Sequence, residues 1–155
     1  MWVETDTMLK DIVLAIEGST NLFPAGWVVR LFTNNITPQR NSVVGDFTEL
    51  TNVQVPGYAA VAPTWAGTPI RQADLSWQDD TGDAIFQATG APPAPIVVYG
   101  WFATNAAGTV LLGAGLLNLP YTFTSIGDGV RLEGSINVNQ PTGDNVDLVM
   151  DFVQE

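Results

Sequence analysis

Asp79, Asp80 and Asp83, gathered around Gly82, are the densest group of carboxylates in the chain. Hard oxygen ligands at this spacing are what calcium would want. The twelve-residue loop pattern of an EF-hand and its distal bidentate glutamate are missing, so an acidic hairpin turn is the expectation. Asp128, between Gly127 and Gly129, reads as a second turn residue. Asp144, Asp147 and Asp151 alternate irregularly before and along the last apolar stretch, as a solvated strand face would. A pair of carboxylates is the one arrangement that could hydrolyse a glycoside without histidine. Sixteen acidic residues always produce some close pair, and the sequence singles none out.

The missing residue types narrow the chemistry further. There is no histidine and no cysteine. That removes the usual general base near neutral pH, the Ser–His and Cys–His nucleophile pairs, ordinary zinc sites and disulfides. No Gly-rich phosphate cradle is present; the two glycines of "LLGAGLL" lie in a strand pattern and mark a bulge or a close backbone approach. The expectation is a protein that is not an enzyme and needs neither cofactor nor metal. Aromatic residues offer another chemistry, stacking against sugars. Of five tryptophans, Trp77 and Trp101 sit in strongly apolar contexts that predict core positions. Trp65, beside Pro63 and Gly67, is the candidate exposed aromatic.

Charge limits the partners. The formal net charge is −11, with one lysine and four arginines, so no basic patch can form. Direct binding to nucleic acid or to an anionic membrane surface is not expected. The apolar stretches near "IVVYGWFA" and "VLLGAGLL" are too short to span a bilayer as helices. No basic region precedes an apolar run at Met1, so no signal peptide is expected.

These residues need elements to position them. With 155 residues and 46% hydrophobic content, the chain reads as one folded domain with a sizeable core. "ETDTMLKDIVLAIEGS" has the one helical pattern: Met8, Leu9, Ile12, Val13 and Ile16 share a face, Asp6 or Thr7 can cap its start, and Gly18 can end it. Three turns are marginal alone, so this stripe must dock on its own domain or on a neighbouring subunit. Residues 1–18 are therefore read as a helical arm, and Trp2, Met8, Leu9, Ile12, Val13 and Ile16 as candidate partner-interface residues.

After Pro24 the pattern changes to strands, and residues 19–155 are read as a single β domain. "GWVVRLFTN" is a strand closed by Asn34-Asn35 and Thr37-Pro38, which turn the chain, with Arg40 solvated. "DFTELTN" is expected to form a short helical turn behind Asp46, and "GYAAVAP" and "PIRQADLSWQ" short strands. "DDTGD" should turn into "AIFQAT" as a hairpin, with "APPAP" a stiff connector after it. "IVVYGWFATN" and "TVLLGAGLL" flank Ala106-Ala107-Gly108 as a second hairpin. "PYTFTS", "VRLEGSINVN" and "NVDLVMDFVQ" complete the set, with Val146, Leu148, Met150 and Phe152 on one parity. The fold class is mainly β: an antiparallel sandwich or barrel, a jelly roll among the options, preceded by a short amphipathic helix.

One set of segments carries a resemblance. "LFTNNITP", then "DFTEL", then "GYAAV", and later "YGWFATNAAGTVLLGAGLL" resemble a group of small phage and prophage virion-associated proteins. Those proteins share an Asn-Asn-x-Thr-Pro strand end, an Asp-Phe-Thr-Glu segment, a Gly-Tyr, and a Tyr-Gly-aromatic strand leading into an Ala-Ala-Gly turn. The similarity runs intermittently from about Val28 to Leu117, and its motifs are structural. The helical pattern before Gly18 departs from the shorter members, which begin near the first strand. The resemblance implies a virion context: a capsid decoration (cement) protein on the capsid surface, with the major capsid protein or another virion protein as partner. Self-association is part of that expectation, with three copies guessed from threefold positions in capsids. The alternative is a receptor- or glycan-binding module of a fibre or tail, using Trp65.

Overall fold

The computed structural model describes residues 2–4, 27–65, 70–71, 77–138 and 148–154. The chain is mainly β, and two antiparallel sheets face one another as a sandwich. The strands are β1 (Trp2–Glu4), β2 (Val28–Phe32), β3 (Thr64–Trp65), β4 (Ile70–Arg71), β5 (Trp77–Gln87), β6 (Ile96–Thr104), β7 (Leu111–Phe123), β8 (Gly129–Val138) and β9 (Leu148–Gln154). The first sheet has the order β1-β7-β6-β2. In the second, of order β3-β5-β8-β9, β4 also pairs with β5. Trp2–Glu4 thus joins the sheet as a strand. The rest of the expected helical arm lies outside the described residues.

The core lies between the sheets. Val29, Leu31, Val98, Trp101 and Leu112 from the first meet Ala84, Phe86, Val130, Leu132 and Phe152 from the second. Alternation along β5 and β8 produces this. Ala84, Phe86, Val130 and Leu132 point inward while Ile85, Gln87, Arg131 and Glu133 face out. Trp101, fully buried as its context predicts, packs edge-on against Phe152 with centroids 4.9 Å apart. Its indole Nε1 donates to the Phe152 carbonyl at 3.1 Å, so one side chain joins the sheets by packing and by a hydrogen bond. Gly134 leaves room for the Phe152 ring, which a Cβ there would meet at 2.6 Å.

A second, smaller core covers the outer face of the first sheet. Phe32, Phe102, Leu111 and Ala114 form its floor and Phe47 its lid. The rings of Phe47 and Phe102 stack at 5.1 Å and 11°. The lid is set by Asn34, whose side chain works both ways: Nδ2 donates to the Asp46 carbonyl and Oδ1 accepts from Thr48 N–H, each at 2.7 Å. The Asn-Asn turn is present as expected, and its first asparagine also pins the returning chain. Pro38 is buried and Arg40 exposed.

Four local expectations need correction. "GYAAVAP" forms no strand, only an isolated bridge at Val61, and "PIRQADLSWQ" contributes to two strands, β4 and β5. The helical turn near Asp46 is a 3-10 turn at Val44–Asp46, so it ends on the first residue of "DFTEL" and does not follow Asp46. Thr48 and Leu50 are held extended by β2: Thr33 N–H donates to the Thr48 carbonyl and Leu50 N–H to the Leu31 carbonyl, each at 2.9 Å. The last correction concerns "DDTGD", which does not turn. β5 runs through it, with an irregularity between Asp79 and Gly82. An extra residue in the strand absorbs the acidic run, and Gly82 is buried opposite Gly134. The chain instead reverses between Arg71 and Trp77, which pair across β4 and β5.

The Ala106-Ala107-Gly108 hairpin is observed, with Gly108 at φ 70° and Asn105 Oδ1 accepting from the Thr109 and Val110 N–H groups. Pro120 sits inside β7 where its ladder with β6 is interrupted. Gly100 pairs with Leu116 and Val98 with Tyr121, so residues 117–120 bulge out opposite Tyr99 and no N–H is asked of the proline.

Candidate interaction surface

The described carboxylates considered for chemistry lie apart. Asp83 accepts from Arg131 Nε at 3.0 Å on the outer face of the second sheet. Asp128 is a turn residue: one oxygen accepts from Thr124 N–H at 2.6 Å and Ser125 N–H at 2.7 Å. Those two backbone donors hold its carboxyl below the ordinary carboxylate value. Asp151 is half-buried on β9, and its Oδ1 has no hydrogen-bond partner. Asp79 and Asp80 lie in β5, while Asp144 and Asp147 fall outside the described residues. Among the described residues no three acidic side chains are placed to hold a metal ion, and no helix is long and apolar enough to cross a membrane.

The polar constellation that does form was invisible in the sequence. Arg30 on β2 grips both oxygens of Glu49 through NH1 at 2.9 Å, and its Nε donates to Thr104 Oγ1 at 3.0 Å. Tyr58 donates its hydroxyl proton to Glu49 Oε1 at 3.2 Å and accepts from Leu31 N–H at 3.0 Å. Desolvation by burial, more than the nearby Glu49 charge, pushes the Tyr58 hydroxyl well above the ordinary phenol value, so it remains a donor. Every oxygen of this set has a protein partner. Its effect is structural. The chain after Leu50 leaves β2 and returns only at Val61, which exchanges hydrogen bonds with Val29. In that gap the Tyr58 hydroxyl takes the place of a backbone carbonyl for Leu31. Arg30, Glu49, Tyr58 and Thr104 are too far apart in sequence for any spacing rule to join them.

Exposed apolar side chains suited to contact a partner lie elsewhere, Leu119 on β7 among them. Val53 is 81% and Ile126 67% exposed, each on a short loop at the end of the sandwich where β5 and β7 finish and β6 and β8 begin. The two loops meet through residues 88 and 89. Thr89 N–H donates to the Pro56 carbonyl, Ala88 N–H to the Asp128 carbonyl, and Gly127 N–H to the Ala88 carbonyl. Both are rigid by their own hydrogen bonds. Gln54 and Thr51 bond one another, Asn52 Oδ1 accepts from Gly57 N–H at 2.7 Å, and Gly57 and Gly127 take positive φ angles of 94° and 88°. A Cβ at Gly57 would collide with Thr89 in addition to the backbone strain. Neither Val53 nor Ile126 stood out in the sequence, because single apolar residues in polar loops carry no pattern.

Of the sequence-derived interface residues, Trp2 lies in β1 in register with Gly115. Met8, Leu9, Ile12, Val13 and Ile16 lie outside the described residues. Trp65 is the last residue of β3, paired with Gly82. Comparison with protein-family models, with curated proteins and with solved structures found no match.

Proposed function

We propose that this chain is a non-enzymatic structural protein of a virion, a decoration (cement) protein that bridges coat subunits from the outer surface of a phage capsid. The observation that carries the reading is the pair of loops bearing Val53 and Ile126. Apolar side chains held in water on loops already fixed by hydrogen bonds lose little entropy when a partner covers them. Two rigid apolar tips at one end of a small β domain suit docking to a larger protein surface. The virion context comes from the resemblance of "LFTNNITP", "DFTEL" and "YGWFATNAAG" to virion-associated proteins, whose shared segments are here the pinned turn, the lid and the central hairpin. The acidic net charge favours a neutral or basic coat surface as partner.

The test is particle robustness. Particles assembled without this protein should form but lose their contents at lower temperature or lower salt, and adding the purified protein back should restore them. Val53→Asp with Ile126→Asp should fold normally and fail to restore them. Equal robustness with and without the protein would rule out the clamp role.

A further inference from the structure

The glycines of "LLGAGLL" serve the edge of a sheet. β1 lies along Gly113-Ala114-Gly115, with Trp2 in register with Gly115, Val3 with Ala114 and Glu4 with Gly113. All three seat residues are buried. β1 pairs with β7 alone and over three residues, whereas β7 and β6 pair over most of their length. Each backbone hydrogen bond contributes about 1 kcal/mol net, so this short ladder is held far more weakly than its neighbours.

The connection that follows β1 is much longer than its path requires. Glu4 is level with Gly113, which pairs with Ala103, and Val28 pairs with Thr104, so both ends of the connection lie at the same end of the sheet. They are separated by three strand spacings, about 15 Å. About five extended residues would cover that distance. Residues 5–26 number 22, enough to reach about 70 Å when extended, against a domain diameter of about 40 Å.

We propose that β1 is exchanged between copies of this chain: Trp2–Glu4 of one copy adds to β7 of another at Gly113–Gly115, in the register seen within one copy. The same ladder forms either way, so its hydrogen bonds do not decide between the two arrangements. The balance is set by the closure entropy of the connection against the concentration of neighbouring copies. Seats on neighbours compete once copies reach the millimolar range that governs tethered pairs. The net charge of −11 opposes close approach, so exchange rises with ionic strength as that repulsion is screened.

The chain has no cysteine, which makes the test direct. Val3→Cys and Ala114→Cys are made singly and together in the full chain, then oxidised or joined with a short bis-maleimide. Exchange predicts that the two single variants, mixed at high concentration, give a cross-linked pair of chains well above either variant alone. The double variant should give linked oligomers whose share climbs with protein concentration and with salt. Cross-linking of the double variant only within single chains at every concentration, with no linked pair from the mixture, overturns the proposal. Should Ala114→Cys fail to fold, light scattering on the chain lacking residues 1–4 decides. Loss of a concentration-dependent oligomer supports exchange, and a mass that matches the parent at every concentration refutes it. Both readouts are taken in solution without any capsid, so their outcome is separate from that of the clamp role.

Discussion

The two sheets are built from similar numbers of strands and buried differently. The first is covered on both faces: the main core lies inside, and Phe47 closes over Phe32 and Phe102 outside. The second is covered inside, while its outer face carries Ile85 beside Arg131 and Asp83, and Glu133 beside Val153. A strand covered on both faces cannot alternate. β6 accordingly keeps the unbroken run "YGWFAT", and β8 keeps the alternation "VRLEGS". Strand pattern therefore reports how many faces are covered, before anything is known of what covers them.

The strongest way to break the contrast is to remove the lid. Phe47→Ala should cost about 3 kcal/mol, as truncating a buried aromatic does, and urea unfolding would measure it. Ile85→Ala on the open face of the second sheet should stay within about 0.5 kcal/mol. Equal losses at the two positions would mean that the outer faces are covered alike. A smaller effect is expected at the edge of β2. Tyr58→Phe deprives the Leu31 N–H of its acceptor and one Glu49 oxygen of a donor, with an expected cost of about 2 kcal/mol. Amide exchange should accelerate at Leu31 first, while Leu132 in the other sheet keeps its protection. Unchanged exchange at Leu31 would show that another group satisfies it. The smallest effect belongs to Asn34→Ala, about 1 kcal/mol. It should loosen the lid, raising exchange at Thr48 without affecting β8.

Much of the fold was legible because it rests on local chemistry. Gly108 and Gly127 lie where left-handed turns are needed, and Asp128 and Asn105 brace those turns with their own side chains. Trp101 was legible as core from the apolar run around it. Two of the failures share one cause. At "DDTGD" the residues are those of a turn, yet Gly82 lies buried opposite Gly134 inside a continuous strand. At "DFTEL" the local preference for a helical turn loses to the edge at β2, where Thr33 N–H donates to the Thr48 carbonyl and Leu50 N–H to the Leu31 carbonyl. In both places a partner far along the chain decided, and a sequence read in windows does not contain that partner. The same applies to Arg30, Glu49 and Tyr58, whose roles exist only after β2 has met the segment that covers it. The tips at Val53 and Ile126 were missed for a different reason: an exposed valine or isoleucine gains meaning from the rigidity of its loop.

The pairing of residues 2–4 with residues 113–115 also fixes a place in the order of folding. More than a hundred residues of chain must be closed into a loop before three residues of ladder form, the least rewarding closure in the first sheet. The β6–β7 hairpin and the segment from Glu49 to Tyr58 close over far shorter stretches. On a ribosome the first strand emerges long before its seat exists. The seat is therefore filled last, after the sandwich has formed, and during that interval a nascent chain presents an unpaired strand edge to whatever lies beside it.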